Sequence, residues 1–268
     1  MEHPEYTTST NIPGIAFTVL GHDQVPASDE TISHTMCLGM SEILFNAQYD
    51  VGELTYAVTD DTNTKVGKTY YTHDGSEYTA LIEGTDYQIG DSIPIATYYE
   101  KNLNNREIGS NNFAESNLLQ WANSDGNANS WFEKQNIFDV CGSVLNGKNG
   151  FLKYIDQDFL SVVKDAKLIT AKCNEEGGGS SIVNAKFWPL SRTQVFGDSN
   201  NGFSENERLT YFESNSAIKM FNSVASTWWL RSPYVAITYD VHYVSTSNTL
   251  ANGYTGNNRG VSLACIIG

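Results

Sequence analysis

The chain has 268 residues, 40% of them hydrophobic and 12% aromatic, and its 16 Lys and Arg against 31 Asp and Glu give a net charge of −15. That much apolar and aromatic surface offsets the entropy of ordering, which excludes a mainly disordered chain, and the length admits two domains. The negative charge repels phosphate backbones and anionic lipid, so nucleic acid is not an expected partner.

No apolar run reaches the length of a bilayer crossing, and Met1–Thr10 lacks the basic-then-apolar order of a secretory signal. Neither membrane insertion nor a signal peptide is therefore expected. The next stretch, Ser28 to Phe45, fits a helix, with Ser28 as cap and Ile32, Met36 and Met40 on one face. From Ile12 to about Pro94 the text is otherwise rich in Thr, Tyr, Val and Gly. Turn signals at His73-Asp74-Gly75 and Glu83-Gly84-Thr85 punctuate it. Leu54–Val58 and Gly67–Thr72 read as strands, with Tyr78–Ile82 pairing back across the Asp-Gly turn. These features predict a β-rich docking or oligomerisation domain over residues 1–90.

Beyond Asn102 two helices are predicted. One covers Asn112–Asn123, with Phe113, Leu118, Trp121 and Ala122 at helical spacing. The other covers Asp156–Lys167, with Asp156 as its cap and Phe159, Val163 and Ala166 on one face. Leu168–Ala171 then reads as a short strand, Glu175–Ser181 as a flexible loop, and Lys186–Ser191 as a buried strand ending at a helix cap. Val195–Glu207 is rich in Asn, Gly and Ser and reads as loop. Thr227–Pro233 carries Trp228, Trp229 and Leu230, an irregular polar and aromatic stretch follows, and Gly260–Ile267 is a core strand. Four scattered cysteines, Cys37, Cys141, Cys173 and Cys265, form no Cys-x-x-Cys pair. Free buried thiols are the better reading, although the spacing also accommodates one or two disulfides.

The residues Asn112-Phe-Ala-Glu-Ser-Asn-Leu-Leu-Gln-Trp121, Phe187-Trp-Pro-Leu-Ser191, Trp228-Trp-Leu-Arg-Ser-Pro233 and Arg259-Gly-Val-x-x-Ala264 carry a family likeness. The stretch from Asp91 to Gly268 resembles a bacterial and phage domain of unknown function related to C-type lectins and to formylglycine-generating enzymes. It also resembles the variable proteins of diversity-generating retroelements. Where that family usually ends in Arg-Pro, this chain has Ser262-Leu263. The resemblance implies an α+β protein with a C-type-lectin-like ligand-binding domain over residues 91–268 that displays a diversified C-terminal surface. It further implies a phage-encoded setting, on a virion or cell surface, and a protein or glycan receptor on a cell surface as the partner. A homo-oligomer is compatible with it. A structural virion or decoration protein using the same loops for subunit contacts is the alternative.

Independently of that likeness, residues 234–258 have the chemistry of an adaptable binding surface. Tyrosines supply large amphipathic contact area at low entropic cost, and Ser, Thr, Asn and Gly supply hydrogen-bonding groups. Tyr234, Tyr239, His242 and Tyr254 are the candidate anchors. Ala236, Ile237, Thr238, Asp240, Asn252, Thr255, Asn257 and Asn258 complete the candidate ligand-binding set. Arg231 and Arg259 flank it as structural residues, stacking on aromatics or bonding carbonyls.

An enzyme is not expected. The five histidines show no His-Glu-x-x-His spacing, and neither a Gly-x-Ser-x-Gly elbow nor a Gly-Lys-Ser/Thr phosphate loop occurs. The Asp60-Asp61 and Asp156/Asp158 pairs are explained by turns and caps, and no metal or cofactor is expected.

Overall fold

A computed structural model describes residues 14–52, 109–135, 139–174 and 177–268, together with the backbone of four strands at 55–57, 70–73, 77–80 and 92–94. The fold is mixed α+β, mostly strands with several short helices. In chain order the first strands are β1 (Phe17–His22), β2 (Met36–Met40), β3 (Phe45–Ala47) and β4 (Val51–Gly52). Next come β5 (Thr55–Ala57), β6 (Tyr70–His73), β7 (Glu77–Ala80) and β8 (Ser92–Pro94). The middle of the chain supplies β9 (Asp139–Val140), β10 (Val163–Lys164), β11 (Ala166–Ala171), β12 (Ser180–Ala185) and β13 (Trp188–Pro189). The remainder are β14 (Lys219–Phe221), β15 (Val224–Ser226), β16 (Trp228–Pro233), β17 (Asp240–Val244), β18 (Leu250–Tyr254), β19 (Arg259–Val261) and β20 (Leu263–Ile267). The α-helices are α1 (Asn117–Ala122), α2 (Ser143–Asn146), α3 (Gln157–Val162), α4 (Arg192–Phe196) and α5 (Tyr211–Ser214).

Two five-stranded sheets organise the core. One has the order β1-β2-β20-β10, with β13 also on β20; the other has the order β18-β17-β16-β19-β3. Strands from the two ends of the chain therefore share each sheet: β2 pairs with β20 from Met36 opposite Ile267 to Gly39 opposite Ala264, and β3 pairs with β19. This corrects the expectation of a separate N-terminal domain over residues 1–90. Strands β2 and β3 find ladder partners in β20 and β19, and β1 pairs with β2, so 17–52 belongs to the same packed unit as 109–268. In this unit β4 pairs with β9, and the chain is described there up to Gly52 and again from Gly109. Between them β5-β6-β7-β8 form a sheet of their own, with His73 opposite Tyr78; the His73-Asp74-Gly75 turn signal expected between these strands lies in part outside the described residues. Met1–Thr10, the Asp60-Asp61 pair, the Glu83-Gly84-Thr85 turn and the outer ends of the 54–58, 67–72 and 78–82 strand predictions lie outside the described residues.

The two flanks of residues 53–108 are clasped by one buried carboxylate. Asp50 Oδ2 accepts from Ser110 N at 2.6 Å, and Oδ1 accepts from Asn117 N at 3.0 Å and Asn117 Nδ2 at 2.7 Å. Asn117 Nδ2 also donates to Asp139 Oδ1 at 2.9 Å. Burial pushes both carboxyls up, Asp139 to about 6. Gly109 has φ +121°, and a Cβ there would lie 2.4 Å from Thr255 Oγ1 and 2.9 Å from the Asp50 carbonyl, so only glycine fits at this position.

The expected Ser28–Phe45 helix is not formed. Asp29 Oδ1 accepts from Thr31 N and Oγ1 in a turn, and the chain then runs straight as β2. Strand partners on both sides, β1 and β20, outweigh a helical spacing that was only locally favourable. The Asn112–Asn123 helix forms in two pieces, a 3-10 turn at Phe113–Glu115 and α1, because Ser116 caps α1 by accepting from Leu119 N. Asp156 caps α3 as expected, but α3 stops at Val162; Val163 and Ala166 sit in β10 and β11, where β20 and β12 supply their partners. Leu168–Ala171 falls within β11, and Ser180 and Ser181, expected in a loop, pair with Ala171 and Thr170. Glu175 and Glu176 lie outside the described residues. Ser191 caps α4 with a full capping box. All four cysteines are free; Cys37, Cys173 and Cys265 are buried and Cys141 is half-buried.

The interior is aromatic. Trp121, Trp188, Trp228 and Trp229 are fully buried, and a chain of ring contacts runs Phe45–Trp121–Phe151–Phe187 at 5.0–5.2 Å. Strand β16 is buried along its whole length, between β17 and β19. The indole N–H groups of Trp228 and Trp229 donate to the carbonyls of Ala217 and Ala47 at 2.9 Å each, which removes the penalty of burying a polar atom. The Ser262-Leu263 corner packs tightly, with Leu263 buried opposite Pro189 and its N–H donating to Met40 Sδ.

Candidate functional site

Residues 234–258, expected as one irregular stretch, are more ordered than that. They form a turn at 234–239, the hairpin β17–β18 and a second turn at 255–258 that leads into β19. Pro233 is paired opposite Val241 after a register shift in β16. Strand β18 lies at the edge of its sheet.

The first turn is held by groups from distant parts of the chain. Asn111 Nδ2 donates to the carbonyls of Tyr234 (3.1 Å), Ile237 (2.6 Å) and Asp240 (2.9 Å), and Asn111 N donates to the Thr238 carbonyl at 2.7 Å. On the other side Asn174 N and Cys173 Sγ donate to the Val235 carbonyl, and Asn200 Nδ2 donates to that of Pro233. The second turn is tied in the same manner. Thr255 N donates to the Tyr239 carbonyl, and the Thr255 carbonyl accepts from Tyr49 N and Asp50 N.

With the backbone fixed, the side chains divide into two groups. Ala236, Asn252, Tyr254, Asn257 and Asn258 are exposed, while Tyr234, Ile237 and Tyr239 are half-buried. Tyr239 and Tyr254 contact each other at a ring-centroid distance of 5.2 Å, and Tyr254 keeps 53% of its surface exposed. Thr238, Asp240, His242 and Thr255, expected in the binding set, are buried. Asp240 and His242 point to one face of β17, opposite Tyr254 and Asn252 on β18, and that face is occupied. Asp240 Oδ2 accepts from Asn252 Nδ2 at 2.7 Å, and the His242 ring lies edge-on to Tyr234 at 5.8 Å. These polar residues therefore act as ties beneath the surface. His242 is not an exposed anchor.

His242 Nδ1 lies 3.3 Å from the Ala251 carbonyl and Nε2 lies 3.4 Å from the Arg192 guanidinium, a placement that suits the neutral ring, with Nδ1–H donating and Nε2 accepting. Burial, reinforced by Arg192, pushes His242 down from its ordinary 6.5 to about 4. Its stabilising contribution is therefore full above pH 6.5 and is lost as the pH falls through about 4. The raised Asp139 works in the opposite sense over the same range, contributing fully below its ordinary 3.8 and losing that contribution as the pH rises through about 6. In thermal unfolding from pH 4 to 7.5, the difference between wild type and His242→Gln is expected to shrink toward acid pH, and that between wild type and Asp139→Asn to shrink toward neutral pH. A pH-independent difference for either variant would refute the assignment for that residue.

Arg231 and Arg259 are structural, as expected. Arg259 stacks over Tyr243 at 3.5 Å and Trp229 at 5.3 Å, bracing the hairpin from its other face. Arg231 is wholly buried. It donates to Gln194 Oε1 (2.5 Å), Asn206 Oδ1 (2.7 Å) and the carbonyls of Glu205 (3.1 Å) and Ile169 (3.2 Å). The buried Glu205 carboxylate accepts from Ala171 N and Ser232 Oγ; burial raises it, and the positive charge of Arg231 draws it back down. Asn111, Asn200, Glu205 and Asn206 were not singled out from the sequence, because nothing within a local window distinguishes a loop Asn from one that clamps a distant turn. Among the described residues, no three His, Cys, Asp or Glu side chains cluster so as to hold a metal ion. Nor, among them, is any helix long and apolar enough to cross a membrane.

A family profile for a domain of unknown function, DUF6273, matches residues 79–268. The chain belongs to the DUF6273 family. The match takes in β9 to β20 and with them the whole candidate surface, whereas β1 to β4, which supply partners to three of those strands, precede it. All four motif segments noted in the sequence lie within the DUF6273 region. No curated protein and no solved structure matches the chain.

Proposed function

We propose that this DUF6273 protein is a non-enzymatic recognition protein. It displays a diversified surface on residues 234–258 to a protein or glycan receptor, in the manner of C-type-lectin-like variable proteins of diversity-generating retroelements, with a phage virion or cell surface as its setting. One observation carries the reading. The backbone of the 234–240 turn is held by Asn111, Cys173, Asn174 and Asn200, all outside the segment, while the side chains of Ala236, Tyr254, Asn257 and Asn258 face solvent. A surface built in this way can change its side chains without losing its shape, which is the property an adaptable binding site needs.

Purified protein probed on glycan and protein arrays tests the proposal. Tyr254→Ala and Ala236→Arg are expected to abolish or redirect the wild-type hits while changing stability by no more than ~0.5 kcal/mol, the range for exposed positions. Hits that survive both substitutions combined with Asn257→Ala would refute the assignment of this surface. For diversification, a coding locus with a neighbouring reverse transcriptase and a near-copy of the segment encoding 234–258 is expected; a locus with neither removes that part of the proposal.

A further inference from the structure

The β11–β12 hairpin has one protected edge and one open edge. The two strands pair in unbroken register from Ala166 opposite Ala185 to Ala171 opposite Ser180. On β11 the amides that point away from β12 all have acceptors: Lys167 N donates to the Pro26 carbonyl, Ile169 N to Asn206 Oδ1 and Ala171 N to Glu205 Oε1. Antiparallel pairing alternates inward and outward backbone groups, so the outward groups of β12 belong to Ser180, Ile182 and Asn184, the residues opposite those three. All three are exposed, and among the described residues none of their backbone N–H or C=O groups has a partner outside the hairpin.

This edge has none of the usual defences. Ser180–Ala185 contains no charge, no Pro and no bulge, in a chain of net charge −15. On its outer face Ile182, 61% exposed, lies opposite Ile169, 37% exposed. We propose that β12 is a self-association edge. Two copies of the chain would join by antiparallel β12–β12 pairing about a two-fold axis, with Ile182 of one copy opposite Ile182 of the other and Ser180 opposite Asn184. A second copy is the occupant because that register is self-complementary. It sets outward residues against outward residues, gives every outward N–H and C=O a partner, joins the two Ile169/Ile182 pairs into one apolar cluster and brings no like charges together. Elsewhere the strong negative charge opposes contact between copies, which favours an uncharged strand as the meeting point.

Sedimentation velocity of the full chain over a concentration series tests the proposal, with wild type expected to be a dimer. Ile182→Lys sets two ammonium groups face to face, and Ile182→Pro removes an outward amide that no bond within the hairpin uses. Each is expected to raise the dissociation constant more than about tenfold while leaving far-UV circular dichroism and the melting temperature near wild type. A monomeric wild type at every concentration overturns the proposal, as does a dimer that persists in both variants. If one variant misfolds, the other decides.

Discussion

Arg231→Met is expected to destabilise the protein by about 3–5 kcal/mol, read as a shift in the denaturant midpoint at constant slope. The guanidinium sits at the meeting point of β16, β11 and the 205–206 loop, where it satisfies Gln194, Asn206 and two carbonyls at once. Removing it takes one donor from each of these acceptors and leaves Glu205 as a buried carboxylate without its compensating charge. Two corollaries separate this account from loss of packing. Arg231→Lys should not rescue, because an ammonium cannot reach four acceptors spread around a planar fork. Adding Glu205→Gln to Arg231→Met should recover part of the loss, because it removes the uncompensated charge. A loss under about 1 kcal/mol for Arg231→Met would show that the network contributes little.

Trp229→Ala is the second large effect, also expected at about 3–5 kcal/mol. The indole is fully buried, meets Tyr49 and Tyr243 edge-on at 5.9 and 6.2 Å, lies under Arg259, and donates to the Ala47 carbonyl of β3. Its loss opens a cavity between the two ends of the chain and unties β3 from the centre of the sheet. Trp229→Phe keeps much of the volume but loses the indole hydrogen bond to the Ala47 carbonyl, so an intermediate loss is expected. The contrast with Tyr254→Ala matters most. The two aromatic residues lie in one sheet, yet the first should be lost to the melting temperature and the second to the binding assay.

What the sequence disclosed was whatever is encoded within a few residues. Asp156 and Ser191 were legible as caps because a cap needs only its own side chain and the next turn. The apolar Gly260–Ile267 run was legible as strand through composition alone, although it divides at Ser262 into β19 and β20. β17 was hidden because its inward positions are Asp240 and His242, which become acceptable only once Asn252, Arg192 and Tyr234 surround them. β2 was misread because Met36 and Met40 suit one face of a helix, and the partners that make the segment a strand lie more than 220 residues away in β20. For the candidate surface, the exposed residues were recoverable from their chemistry. Asn111 was not, since its acceptors lie 123 to 129 residues downstream.

The pairing of β2 and β3 with β20 and β19 also bears on synthesis and heredity. On the ribosome, β2 and β3 must wait for the codons of β20 and β19 before either sheet can close. Any frameshift arising within the codons for 234–258 would therefore erase both β19 and β20, the strands that close the two sheets. Such a molecule would fail to fold, so the fold itself proofreads the reading frame across residues 234–258.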